Sequence, residues 1–264
     1  MQEPIRYGDA EITRDGHVAI AEIRRPPNNF FDVDLINALV QAFQDLDDDP
    51  ECRAIVLCSE GKHFCAGNDF SRARNDSGTT DRKVADGNPL YSAAVDLFGC
   101  KKPVVGAIQG AAVGGGFGLA LMPDFRVVCP EARFTANFVK LGFHPGFGLT
   151  HTLPRLIGQQ KANIMFLTGK RIDGETAHAW GLGDVLTDRQ SVRSEAITLA
   201  SEIAENAPLA VLSVRATMRA GLAQSVKDQT DHEFLEQHRL QQTEDHREGV
   251  QAVAERRAGN FNGR

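Results

Sequence analysis

Residues 110–124, GAAVGGGFGLALMPD, set Gly114, Gly115 and Gly116 in a row ahead of a run that reads as helix, with Gly118 inside its first turn. A glycine-rich strand-to-helix turn serves dinucleotide binding, phosphate binding, or stabilisation of an oxyanion by main-chain N–H groups. The spacing is not GxGxxG and no GxxxxGK[ST] occurs, so the first two lose their specific support. There is no GxSxG either, which removes a serine nucleophile elbow. What remains is a helix N-terminus whose bare amides can approach a ligand and whose dipole favours developing negative charge. The same glycines would equally permit close packing of strand on helix.

The elements that must position this turn read as α/β. EITRDGHVAIAEIRR carries strand residues on both sides of Asp15-Gly16, a hairpin signal. DVDLINALVQAFQDLDDD has an acidic start and Leu35, Ile36, Leu39, Val40, Phe43 and Leu46 at helical spacing. The buried strand RAIVLCS follows, then a helix near residues 91–98, the strand PVVGAI, the glycine turn with its helix, and the strand FRVVC. Strands alternating with helices imply right-handed crossovers and a largely parallel sheet. After about Gln159 the periodicity becomes helical, ending in a long charged run over residues 225–257. Residues 71–88 are polar and aperiodic, as expected of a mobile loop.

Composition narrows the classes. The 264 residues are 42% hydrophobic and 24% charged, the balance of a globular chain with a sizeable core. A formal charge of -6 argues against a nucleic-acid or anionic-membrane partner. The apolar run 103–122 is long enough to span a bilayer, but its triple glycine and Gln109 make it a strand, turn and helix instead. Five scattered cysteines form no CxxC, so no disulfide framework or zinc site is expected. With an N-terminus that lacks the apolar stretch of a signal peptide, this fits a cytoplasmic protein.

A second segment, GKHFCAGNDF (61–70), directly follows the strand AIVLC. FCAGNDF and AIQGAAVGGGFGLALMPDFRVV together resemble the enoyl-CoA hydratase/isomerase, or crotonase, superfamily. RPPNNFFD, LGFHPGFGLTHTLPRLIG, LTGKRIDGETAHAWGLGDVL and TEDHREGVQAVAERRAGNF add to the resemblance, in family order and over nearly the whole chain. It implies a crotonase-like α/β fold: a spiral β core over residues 1–200 and a helical C-terminal oligomerisation region over 201–264, assembled as a homotrimer or a dimer of trimers. The substrate would be an acyl-CoA thioester, with coenzyme A arriving as part of it, no permanent cofactor and no metal. Two backbone amides grip the thioester carbonyl in such proteins, and by residue match these belong to Asn68 and Gly115. CoA would lie along Asn29, Phe30 and Phe31 and along Ala66, Asp69, Phe70 and Ser71. Arg256 or Arg257 would reach its phosphates or, alternatively, form a solvated helix face.

Hydration of a double bond requires a general base and a general acid. The family's hydratases use two glutamates, and at the matching positions this chain has Gly118 and Phe138. Gly146, where other members place an acid, is glycine too. The expectation is therefore an acyl-CoA enzyme that is not a standard hydratase but an isomerase, lyase, decarboxylase or hydrolase. The alternatives are a non-catalytic acyl-CoA-binding protein or residual hydratase activity. His144 is the candidate acid/base, since imidazole titrates near neutrality; set against it, a histidine before proline in a turn can simply bond to backbone. Phe117, Gly118, Phe138 and Phe143, with Phe134 and Phe147, are expected around an apolar acyl pocket, some of them as plain core.

Overall fold

In the computed structural model, residues 3–68 and 88–264 are described. The chain opens with β1 (Ile5–Tyr7), β2 (Ala10–Asp15) and β3 (Val18–Ile23), joined as antiparallel neighbours. Asp15 pairs with Val18 across the tight turn, where Gly16 takes φ +56°. Helix α1 (Val33–Asp48) follows, its first turn capped by the Asp32 carboxylate, which accepts from the Leu35 amide at 2.9 Å. Its stripe Leu35, Ile36, Leu39, Ala42, Phe43 and Leu46 is buried, as helical spacing requires.

β4 (Ala54–Ser59) and β5 (Val104–Ile108) are buried along their whole length, separated in sequence by α2 (Pro89–Phe98). Next come β6 (Ala111–Val113), α3 (Gly115–Leu121), β7 (Phe125–Val128) and β8 (Arg133–Thr135). A 3-10 turn (Asn137–Leu141) leads to α4 (Leu149–Ile157), α5 (Gln159–Thr168), β9 (Arg171–Asp173), α6 (Gly174–Trp180) and β10 (Val185–Leu186). Helices α7 (Val192–Ala204), α8 (Pro208–Met218), α9 (Leu222–Gln241) and α10 (Glu244–Ala254) complete the chain.

One sheet has the order β1-β2-β3-β4-β5-β7-β10, parallel from β3 onward, and a smaller sheet has the order β6-β8-β9. The α/β expectation therefore holds. The region after Gln159 differs from its purely helical reading by β9 and β10, which at three and two residues are too short to carry a period. The run 103–122 is β5, β6 and α3, and among the described residues no single helix is long and apolar enough to cross a membrane. The loop expected at 71–88 lies outside the described residues except for Asn88, whose side chain caps α2 by accepting from the Leu90 amide.

Candidate functional site

Three segments distant in sequence lie side by side. Phe31 pairs with Asn68, and Cys65 with Ala112, as isolated parallel bridges. The Phe31 amide donates to the Gly67 carbonyl at 3.0 Å, Cys65 to Ala111 at 2.9 Å, and Val113 to Cys65 at 3.0 Å. In a parallel bridge the flanking residues make the bonds, so the Asn68 amide is directed away from Phe31. The Gly115 amide opens α3 and is one of the donors that a helix start leaves without an intrahelical partner. Among the described residues neither amide has an acceptor.

The glycines are explained by approach. Gly67 (φ +85°) lies so near the turn that a Cβ on it would stand 2.7 Å from the Val113 oxygen and 3.8 Å from the Gly115 nitrogen. A Cβ on Gly115 would stand 2.3 Å from Phe31 Cζ, and one on Gly116 would stand 2.3 Å from the Cys65 oxygen. Packing thus demands glycine at both positions, and the same packing leaves the Gly115 amide uncovered by any side chain of its own. Cys65, beside Gly116, is no nucleophile: burial pushes its thiol up to about 12.

The positions matched to the hydratase carboxylates are apolar. A Cβ on Gly118 would meet Phe147 Cβ at 2.7 Å and Cδ1 at 2.8 Å, so Phe147 occupies the space into which a side chain at 118 would point. Phe138 lies across from Gly114, whose Cβ would stand 3.6 Å from its Cζ, and stacks on Phe143 at 6.3 Å between ring centroids. Phe147 in turn meets Phe31 at 5.6 Å. These two ring pairs lie beside the Gly114–Gly118 turn. Phe117 is fully buried against Phe134 at 5.5 Å, on the core side of α3.

The other expected residues are placed as follows. Asn29 is buried with φ +49°, and its side chain is spent on the turn: Nδ2 donates to the Glu60 and His63 carbonyls at 2.8 and 2.7 Å, and Oδ1 accepts from the Arg25 amide. Phe30 is half-buried, and the Ala66 amide donates to Asn28 at 3.0 Å, which aligns the two segments matched to CoA contacts. Asp69, Phe70 and Ser71 lie outside the described residues. The His144 Nδ1 lies 2.8 Å from the Pro145 oxygen, and its ring sits edge-on to His232 at 6.1 Å. Arg257 pairs with Glu248 and Glu255, both at 2.5 Å, and Arg256 is exposed.

Sequence reasoning overlooked Tyr91, Glu233 and Gln237. Glu233 is fully buried on α9, where its carboxylate accepts from the Gly148 amide (2.8 Å), the Thr150 amide (3.0 Å) and Thr150 Oγ1 (2.6 Å). Burial pushes its carboxyl up to about 7, against the three hydrogen bonds that favour the ionised form. In sequence it sits within a charged run that reads as solvated helix, and no local signal marks it. Among the described residues no group of three His, Cys, Asp or Glu is arranged to hold a metal ion.

The chain is similar to known proteins along most of its length. A probable enoyl-CoA hydratase of Mycobacterium tuberculosis is 35% identical over 234 residues, 87% of this chain and 88% of that one. A carnitinyl-CoA dehydratase of Salmonella typhi is 32% identical over 260 residues, covering 96% and 98%. Among solved structures, an enoyl-CoA hydratase/isomerase of Pseudoalteromonas atlantica superposes with a TM-score of 0.85 at 26% identity, over 96% of this chain and all of that one. The enoyl-CoA hydratase/isomerase family profile matches residues 13–264, and the chain belongs to that family, with the crotonase fold.

Proposed function

We propose that the protein binds an acyl-CoA thioester with its carbonyl oxygen between the Asn68 and Gly115 amides and turns it over through an enolate or tetrahedral oxyanion, without being a standard hydratase. The amides carry the reading: two donors without acceptors among the described residues, on segments that Gly67 brings within van der Waals reach of each other. Negative charge that develops on the oxygen meets preorganised dipoles, and losing one such donor typically costs about 10²–10³ in turnover. Against hydration stands the occupation of the Gly118 space by Phe147 and the phenyl ring of Phe138 at the second carboxylate position. Isomerisation, carbon–carbon cleavage and thioester hydrolysis each need a proton-moving or water-activating group, for which His144 is the candidate. Decarboxylation needs no base at its first step, because the electron pair of the breaking C–CO₂ bond itself forms the enolate.

The test uses a panel of acyl-CoA esters. Gly115 is the first residue of α3, where proline is compatible with a helix and deletes the amide hydrogen; Phe31→Ala first makes room for the ring. Turnover in Phe31→Ala/Gly115→Pro is expected to be about 10²-fold or more below that of Phe31→Ala alone. Equal rates would refute the amide grip, and binding without turnover by the parent would favour a non-catalytic acyl-CoA-binding protein. The hydratase and dehydratase names of the relatives favour a second reading, residual hydration with water placed by other groups. Fast hydration of crotonyl-CoA by the parent would establish it.

The proposed assembly is a homotrimer or a dimer of trimers through the helical region after residue 200. It is supported by α8, which has no buried residue and exposes Leu209, Val214 and Met218. The five cysteines are free and buried, which suits the cytoplasmic setting proposed for the enzyme.

A further inference from the structure

Helix α9 places Glu233 and Gln237 one turn apart on one face, and both are buried. Together they hold both ends of segment 144–150. Glu233 takes the Gly148 and Thr150 amides and the Thr150 hydroxyl at one end. At the other, Gln237 Nε2 donates to the His144 carbonyl at 3.0 Å while its Oε1 accepts from the Tyr91 hydroxyl at 2.6 Å. Between these anchors lie Gly146 and Phe147. A Cβ on Gly146 would stand 2.0 Å from Tyr91 Oη and 2.5 Å from Gln237 Nε2, so only glycine fits beneath the network. Phe147 has φ +62°, a left-handed conformation that is unfavourable for a residue with a Cβ and persists only when its surroundings impose it.

A buried carboxylate and amide of this kind contribute little to stability compared with apolar residues of equal volume, since desolvation offsets their bonds. What such a network does supply is one defined conformation for the segment it grips. We propose that Glu233 and Gln237 are positioning residues that lock Phe147 over Gly118 and so determine which acyl groups the pocket accepts. This rests on the acyl-CoA reading above and adds a specificity device supplied by the C-terminal helices. The device acts first on the acyl group, because the gripped segment carries the Phe147 ring and contains neither of the segments matched to CoA contacts; the one link to those segments is the contact of that ring with Phe31 at 5.6 Å.

The experiment is calorimetric titration of the full-length protein with free CoA, acetyl-CoA, hexanoyl-CoA and phenylacetyl-CoA. Gln237→Leu keeps the volume and removes both bonds. It is expected to change the affinity ratio between the tightest and weakest thioester at least tenfold, while free CoA binds within twofold of the parent. If Gln237→Leu does not fold, Tyr91→Phe, which removes only the 2.6 Å bond to Gln237, carries the same expectation in the same direction. A uniform loss for all four ligands, or an unchanged ratio, would overturn the proposal. A parent that binds none of the four would refute the acyl-CoA reading itself, and the specificity device with it.

Discussion

A side chain introduced at Gly118 would have to displace Phe147, whose Cβ stands 2.7 Å from where the new Cβ would be. Gly118→Glu is therefore expected to destabilise the protein by about 1–3 kcal/mol, the usual cost of overpacking a filled interior, and to yield no crotonyl-CoA hydration. Pairing it with Phe147→Gly opens the space and relieves the left-handed backbone at 147 but removes a fully buried phenyl ring, a loss of about 3–5 kcal/mol, so urea denaturation should show no net recovery in the double variant. At Glu233 the folded chain keeps a proton between pH 4.5 and about 7 that the unfolded chain gives up. Stability must then fall as pH rises through that window, by up to about 3 kcal/mol at 1.36 kcal/mol per pKa unit. Denaturation midpoints measured from about pH 5 to 8 should show this decline in the parent and a flatter profile in Glu233→Gln, whose amide does not titrate.

At the level of elements, α8 is tied to the core by charge. Asp124 accepts from the Val104 amide at 2.8 Å and from Arg215 Nε and Arg219 Nη1, both at 2.8 Å, and all three side chains are largely sheltered. Removing one member of such a group leaves the arginines uncompensated, so Asp124→Ala should cost roughly 3 kcal/mol and speed proteolysis within residues 208–218. Elements were legible in the sequence wherever one period ran long enough. The α1 stripe, the wholly buried AIVLCS strand and the turn at Asp15-Gly16 all stand where their patterns put them. β9 and β10 did not show, because two or three residues hold no period. The glycine turn and its partner FCAGN were legible as a candidate site, and the structure brings them side by side, whereas the filling of the Gly118 space by Phe147 was not legible, since spacing along a chain says nothing of what a distant ring occupies. Glu233 and Gln237 escaped for the related reason that a buried polar pair inside DHEFLEQHRL looks the same in sequence as a solvated one.

For the whole molecule, the surface of α8 bears on assembly. Leu209, Val214 and Met218 are 80%, 64% and 75% exposed on one short helix, a large apolar area for a lone chain. If copies associate through it, Leu209→Asp/Met218→Asp should shift sedimentation from a trimer or hexamer to monomer while leaving the fold intact by circular dichroism. A final consequence follows from the bridges Phe31↔Asn68 and Cys65↔Ala112. They lace together three stretches that leave the ribosome far apart in time, so the proposed carbonyl grip cannot exist in a partly synthesised or partly collapsed chain. Such non-local pairings assemble late and slowly. A chain stalled before residue 115 would expose sticky strands yet possess no affinity for thioester, which makes capture of the ligand a readout of completed folding rather than of any precursor.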